Sequence, residues 1–172
     1  SDYGHGIITP KIADYISKSD KFISLNAQVN AANIGTHSVR KYHDINCLII
    51  NGTELHYEMR QRDGDSEKLA LKLKKIIKAN YITVTKGKDG AFLFNDKTVP
   101  VNCPGFAVEV VDKIGSGDAL LALLSVCLYS KIDDDLSLFI GSLAAAQSVE
   151  TIGNSKPVNK VTLLKTISHL LK

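Results

Sequence analysis

Tryptophan is missing from this chain of 172 residues, and aromatic residues of all kinds supply only 6% of it. That scarcity argues against an aromatic platform on which bases or sugar rings would stack. Cysteine is sparse too: Cys47, Cys103 and Cys127 are an odd number at wide spacing, with no C-x-x-C pair. Neither a disulfide framework nor a zinc site fits that pattern, whereas reduced thiols in a cytoplasmic protein do. Cys47 and Cys127 lie in apolar runs and are expected in the core; Cys103 is expected in a loop, without a role. Charge of one sign is also lacking. Twenty-one basic residues face eighteen acidic ones, for a formal net charge of +3, too little to imply nucleic acid as a partner. Lys72, Lys74, Lys75 and Lys78 are expected on the solvated face of a helix. No apolar run is long enough to span a bilayer, nothing resembles a signal peptide, and no membrane partner is expected.

What is present is an alternation of the two hydrophobic periods. Residues 10–18 (PKIADYISK) have helical spacing, with Thr9 as N-cap and Pro10 at the first position. Residues 21–25 predict a short strand, 39–42 a short helix, and 46–50 (NCLII) a strand. In 66–79 the apolar residues Leu69, Leu73, Ile76 and Ile77 define an amphipathic helix. The β-branched run 81–85 (YITVT) predicts a buried strand. Residues 90–94 and 98–101 flank Asn95-Asp96-Lys97 as a β-hairpin. Two mostly apolar helices follow over 117–129 and 136–150, and an amphipathic one over 160–171. This order predicts an α/β domain in which helices cover both faces of a parallel sheet. Such sheets place ligands beyond the carboxyl ends of their strands, so the strand-to-helix loops are where chemistry is expected.

One such loop stands out. Gly115 and Gly117, separated by Ser116, immediately precede a long apolar helix. Neither glycine carries a Cβ, so backbone can approach a ligand closely. Amides at a helix start have no intrahelical acceptor and, with the helix dipole, seat an anion. Asp118 falls in the first turn. It reads either as a carboxylate opposing the dipole or as a general base beside an anion-stabilising nest, as phosphoryl transfer to a hydroxyl requires. A serine hydrolase on Ser116 is rejected because the G-x-S-x-G spacing is absent. A Walker P-loop and a dinucleotide fingerprint are equally absent.

With Asp112 the loop extends to D-K-I-G-S-G-D. This string resembles the D-T-x-G-A-G-D signature of the ribokinase-like (PfkB) carbohydrate kinases, with Asp112, Gly115, Gly117 and Asp118 matching. Lys113 replaces Thr and Ser116 replaces Ala; Lys113 would either help to hold nucleotide or point to solvent. Asn51-Gly52-Thr53-Glu54 resembles the family's N-x-x-E motif, which implies that Asn51 and Glu54 organise Mg²⁺ and phosphate, although both are also common helix-start residues. Thr85-Lys86-Gly87-Lys88-Asp89-Gly90 resembles the T-x-G-x-x-G turn, which implies Thr85 and Gly87 beside the nucleotide phosphates; Gly90 is expected only to make a turn. Residues 144–153 (AAAQSVETIG) match the helix and glycine loop, including Gly153, that border the adenine pocket. The resemblance further implies a monovalent cation, K⁺, near Asp112, Ile114 and Gly153. Its matches fall in family order over residues 46–153.

A narrower resemblance concerns the opening Ser1-Asp2-Tyr3-Gly4-His5-Gly6, similar to the S-D-Y-x-K-G segment of kinases acting on heptose 7-phosphate, with His5 where Lys is usual. Asn26, Gln28, Asn30 and Asn33 read equally as a polar substrate-side lining or as an asparagine-rich turn. The resemblance implies a three-layer ribokinase-like fold whose N-terminal part and lid are absent. Residues 1–172 would then be one domain, the C-terminal nucleotide-binding and catalytic part of a sugar kinase, inactive alone. Its partners would be ATP or ADP, Mg²⁺, a sugar substrate, the missing half and a second copy as a homodimer. A noncatalytic nucleotide-binding or assembly module that kept the fold is the alternative.

Overall fold

The computed structural model describes residues 1–28, 33, 36–107 and 109–172, with the backbone alone at Asn154. The strands Ser24–Asn26 (β1), Cys47–Asn51 (β2), Tyr81–Thr85 (β3), Ala91–Phe94 (β4) and Val101–Cys103 (β5) form one open sheet in chain order. β1, β2 and β3 run parallel, with Asn26 opposite Ile49 and Asn51 opposite Thr85. The chain divides into two compact units, Ser1–Lys86 with Phe92–Val101, and Gly87–Ala91 with Asn102–Lys172.

The first unit holds the helices Pro10–Ser17 (α1), Gly52–Met59 (α2) and Ser66–Ile77 (α3). α1 starts as its sequence predicts, with the Thr9 hydroxyl accepting from the Ile12 amide and Pro10 in the first turn. α3 is capped by Asp65, whose carboxylate accepts from Glu67 and Lys68, and it buries Leu69, Ala70, Leu73 and Ile77. Ile76, expected on that face, is 42% exposed. It sits about 100° around the helix from Ile77, so both cannot face the sheet. Lys72, Lys75 and Lys78 are exposed as expected, while Lys74 lies along the surface toward Asp96 at 3.4 Å. The core of this unit joins Leu25 and Ala27 to Leu48, Ile50, Ile82, Val84, Phe92 and Phe94. Alternate residues of β2 and β3, Cys47, Ile49 and Thr83, are buried as well. These strands are thus buried on both faces, as parallel strands normally are.

Two strands are displaced from their predicted positions. β1 begins at Ser24 rather than at residue 21, because the Ile23 amide donates to the Asn46 side chain at 2.7 Å instead of joining the ladder. β5 covers Val101–Cys103 rather than 98–101. Val99 is 75% exposed, Pro100 has no amide to donate, and the Asn95 side chain accepts from the Lys97 amide, so the loop is longer than a tight hairpin. Cys103, expected in a loop, is instead the buried end of β5.

The second unit is built on Ser116–Tyr129 (α4) and Asp134–Val149 (α5), followed by Lys160–Leu170 (α6). α4 buries Leu120, Leu124, Cys127 and Leu128, and α5 buries Leu138, Leu143, Ala144 and Val149. At about 1.5–3 kcal/mol for each buried leucine, packing rather than propensity holds α4. Gly141 lets the two helices approach: a Cβ there would lie 3.0 Å from Leu120 and 3.1 Å from Leu124. Among the described residues no helix is long and apolar enough to cross a membrane.

Candidate functional site

α4 begins at a glycine. Gly115 is its N-cap at φ 82, the left-handed region, and no side chain caps the helix. The first intrahelical bond runs from the Ala119 amide to the Gly115 carbonyl at 2.9 Å. The amides of Gly117 and Asp118 precede it, at the positive end of the dipole. Ser116 turns its hydroxyl back onto the Lys113 carbonyl at 3.0 Å, a local bond that shapes the loop and occupies the group a hydrolase would have needed. Asp118 lies half-buried in the first turn. Lys113 is exposed.

Asp112 organises what surrounds this start. One of its oxygens accepts from the Ile114 amide at 3.0 Å and the other from the Gly153 amide at 2.8 Å. The amides of Val111 and Asp112 themselves donate to the Val149 carbonyl at the end of α5. These backbone bonds, from Ile114 first and then Gly153, hold the Asp112 carboxyl below the usual carboxylate range against a small opposing effect of burial. Asp112 thus brings together Ile114 and Gly153, the latter forty-one positions beyond it. Gly153 has φ 57 with open space where a Cβ would stand.

In the first unit, Asn51 and Thr85 are register partners at the carboxyl ends of β2 and β3. Asn51 also caps α2. Its side chain accepts from the Glu54 amide at 2.8 Å, while Glu54 reaches back to accept from the Asn51 amide at 3.0 Å. This capping box fixes a carboxylate that is 8% exposed. Among the described residues no three His, Cys, Asp or Glu side chains gather to hold a metal. One fixed carboxylate is a donor set that fits Mg²⁺, which takes one or two carboxylates and fills its sphere with water and phosphate.

Gly87 and Gly90, both in the second unit, differ in what they face. Gly87 has φ 62, and a Cβ placed there would meet nothing within 4 Å, an open approach. Gly90 at φ 83 packs against the backbone of Cys103, Pro104 and Gly105. It is therefore more than the simple turn residue expected of it: a close backbone contact depends on it.

Comparison with known proteins decides the family. Residues 23–161 match the pfkB family carbohydrate kinase pattern. The chain belongs to the pfkB family of carbohydrate kinases. It is 33% identical over 162 residues to the bifunctional protein HldE of Campylobacter fetus subsp. fetus (strain 82-40), covering 90% of this chain and 33% of that protein. To HldE of Campylobacter jejuni (strain RM1221) it is 28% identical over 98% of this chain and 36% of that one. The chain thus spans about a third of the length of these relatives. Among solved structures, phosphofructokinase-2 from Escherichia coli in complex with potassium matches at TM-score 0.77 and 15% identity, over 95% of this chain and 52% of the other. Ribokinase of Arabidopsis thaliana complexed with ribose and ATP matches at 0.71 and 22%, over 91% and 50%. Both likenesses establish the ribokinase-like fold.

One feature of this pfkB chain was not anticipated from its sequence. Asp2 is 4% exposed and pairs as a parallel bridge with Ala27, just past β1. Its carboxylate accepts from Lys41 at 2.6 Å, the Tyr42 hydroxyl at 2.8 Å and the Gly4 amide at 3.0 Å. Burial pushes its pKa up, but the Lys41, Gly4 and Tyr42 hydrogen bonds outweigh it and hold it below the ordinary value. Burial and the neighbouring Asp2 push the Tyr42 phenol far up. Asn33 serves the same segment, donating to the Tyr3 and Gln28 carbonyls at 2.9 and 3.0 Å, and Asn26 is buried in β1. The asparagine-rich stretch is thus partly structural; Asn30 lies outside the described residues. His5 is exposed and stacks on Tyr3 at 6.5 Å.

Proposed function

We propose that this chain is the nucleotide-binding and catalytic part of a longer kinase that transfers phosphate from ATP to a hydroxyl of a sugar or sugar phosphate. The observation that carries the reading is the start of α4, a left-handed glycine and a helix without a side-chain cap, with Asp118 in its first turn. An Asp118 oxygen takes the proton of the acceptor hydroxyl, and the amides of Gly115–Asp118 face the charge that develops on the transferred group. Thr85, Gly87, Lys113 and Gly153 lie along the nucleotide in this reading, and Asn51 and Glu54 hold the Mg²⁺ side. Bound Mg·ATP supplies the phosphoryl group and neutralises its charge. Asp112, which joins Ile114 and Gly153, marks the neighbourhood of a monovalent cation. The similarity of S-D-Y-G-H-G to heptose 7-phosphate kinases, together with the HldE relatives, supports a heptose phosphate as acceptor. A chain about a third as long as those relatives supports a parent that supplies further sugar contacts, and a cytoplasmic setting suits its reduced thiols.

Calorimetric titration of residues 1–172 with Mg·ADP tests the site. Saturable binding that a Gly117→Val variant loses is expected; equal binding by the variant would move the nucleotide elsewhere. In the longer kinase, Asp118→Asn should lower turnover by about 10²–10⁴-fold, the usual worth of a general base, with nucleotide affinity little changed. Undiminished turnover would remove Asp118 from that role.

A further inference from the structure

The carboxyl edge of the parallel strands carries two groups of residues in the first unit: the Asn51–Glu54 box after β2, and the loop 3–6 that leaves the sheet at Asp2 beside β1. They are joined by a side chain with no part in the phosphoryl transfer itself. Glu58, one turn beyond Glu54 on α2, has a side chain only 6% exposed. It accepts from the Ser38 hydroxyl and Arg40 Nε at 2.8 Å each, and from the Val39 amide at 3.1 Å. Arg40 also donates to the Glu58 carbonyl at 3.0 Å. The 3-10 turn Val39–Lys41 is thereby fixed to α2. The same turn presents Lys41 and Tyr42 to Asp2, and Lys41 also donates to the Ile8 carbonyl at 2.8 Å. Asp2 in turn holds the Gly4 amide, and Gly4 is pressed so close to Asn33 and His37 that a Cβ would lie 2.6 and 2.8 Å from them.

The geometry points to Glu58 as a positioning residue that couples the Asn51–Glu54 end of α2 to the loop 3–6, so that the two flanks of the sheet's ligand edge shift as one piece. The network is continuous: Glu58 to the turn, the turn to Asp2, Asp2 to the loop. A charge-assisted, nearly buried hydrogen-bond cluster is stiff enough to transmit a displacement. For its ligand the inference rests on the proposed kinase reading, but the coupling itself is a property of the unliganded chain.

Amide hydrogen exchange on residues 1–172 tests it. In Glu58→Gln, the Gly4 amide should exchange at least about tenfold faster, as loss of a charge-assisted bond implies. In Asp2→Asn, the Val39 amide should accelerate in return, since coupling is reciprocal. The amides of Ile82 and Val84 in β3 should be unchanged in both. Unchanged Gly4 exchange in Glu58→Gln, with β3 still protected, would overturn the coupling. If Glu58→Gln exposes β3, Ser38→Ala, which keeps the carboxylate and deletes one of its donors together with the cap on the Arg40 amide, gives the same comparison. A second arm adds Mg·ADP. Nucleotide should slow Gly4 exchange in the wild-type chain but not in Glu58→Gln at saturating ligand, and slowing that persists in the variant would count against Glu58. Absence of any ADP binding would count against the kinase reading alone, leaving the reciprocal effects in the unliganded chain to decide.

Discussion

Gly87 and Gly90 offer a controlled comparison, because both have positive φ, 62 and 83, and only one is crowded. Substitution by alanine imposes a left-handed conformation at each, which costs about 1–2 kcal/mol. At Gly87 nothing else is lost. At Gly90 the new Cβ would overlap the Cys103 carbonyl and stand 2.5 Å from the Pro104 carbonyl carbon and 2.7 Å from the Gly105 amide nitrogen. Those are backbone atoms, so the loop must move, and such overpacking adds about 1–3 kcal/mol. Gly90→Ala should therefore be less stable than Gly87→Ala by about 2 kcal/mol, a difference of about 4–8 °C in Tm for a chain of this size. Urea unfolding followed by far-ultraviolet circular dichroism, which needs no tryptophan, measures it directly. The midpoint should fall with little change in slope. Equal losses in the two variants would show that loop 103–105 does not lean on Gly90, and the account of this contact would be wrong.

Two further outcomes follow from buried titratable groups. Asp2 has a folded pKa below its unfolded value of about 3.9, because the Lys41, Gly4 and Tyr42 hydrogen bonds outweigh burial. Its contribution is therefore complete above pH 4 and lost as pH falls through the folded pKa. Wild-type urea midpoints should drop more steeply below pH 4 than those of Asp2→Asn, and parallel curves would refute the linkage. Cys47 is fully buried and its thiol is pushed up to about 12 by desolvation. A disulfide reagent at pH 8 should modify it only after urea unfolding; rapid modification of the native chain at this position would contradict the burial of β2.

Much of this architecture is legible in local chemistry. Thr9 and Pro10 mark the start of α1, and the β-branched run YITVT is β3 residue for residue. The string D-K-I-G-S-G-D locates the start of α4 because two glycines before an apolar helix have few other uses. Long-range consequences are harder to read. The bond from Asp112 to the Gly153 amide spans the whole α4–α5 pair, and the pairing of Asn51 with Thr85 follows from strand register, which neither strand specifies alone. The displacement of β5 came from Pro100 and the Asn95 turn prevailing over an alternating pattern. Asp2 was hardest, since nothing in S-D-Y-G distinguishes a buried carboxylate from a solvated one. Its burial is made possible by Lys41 and Tyr42, about forty residues away.

The bare start of α4 has a thermodynamic corollary. Four helices, α1, α2, α3 and α6, carry a side chain that accepts from their own first-turn amides; α4 and α5 have no such cap, and in the proposed reading the place at α4 is taken by the transferred phosphate. An anion seated there acts as a removable cap, and its binding energy is at once helix-stabilising energy. By mass action, a ligand at a hundred times its dissociation constant adds about 2.7 kcal/mol to the folded state, more than the roughly 1 kcal/mol of an ordinary capping side chain. In the proposed reading, α4 is then the helix whose end is tightened by occupancy and loosened when the site empties.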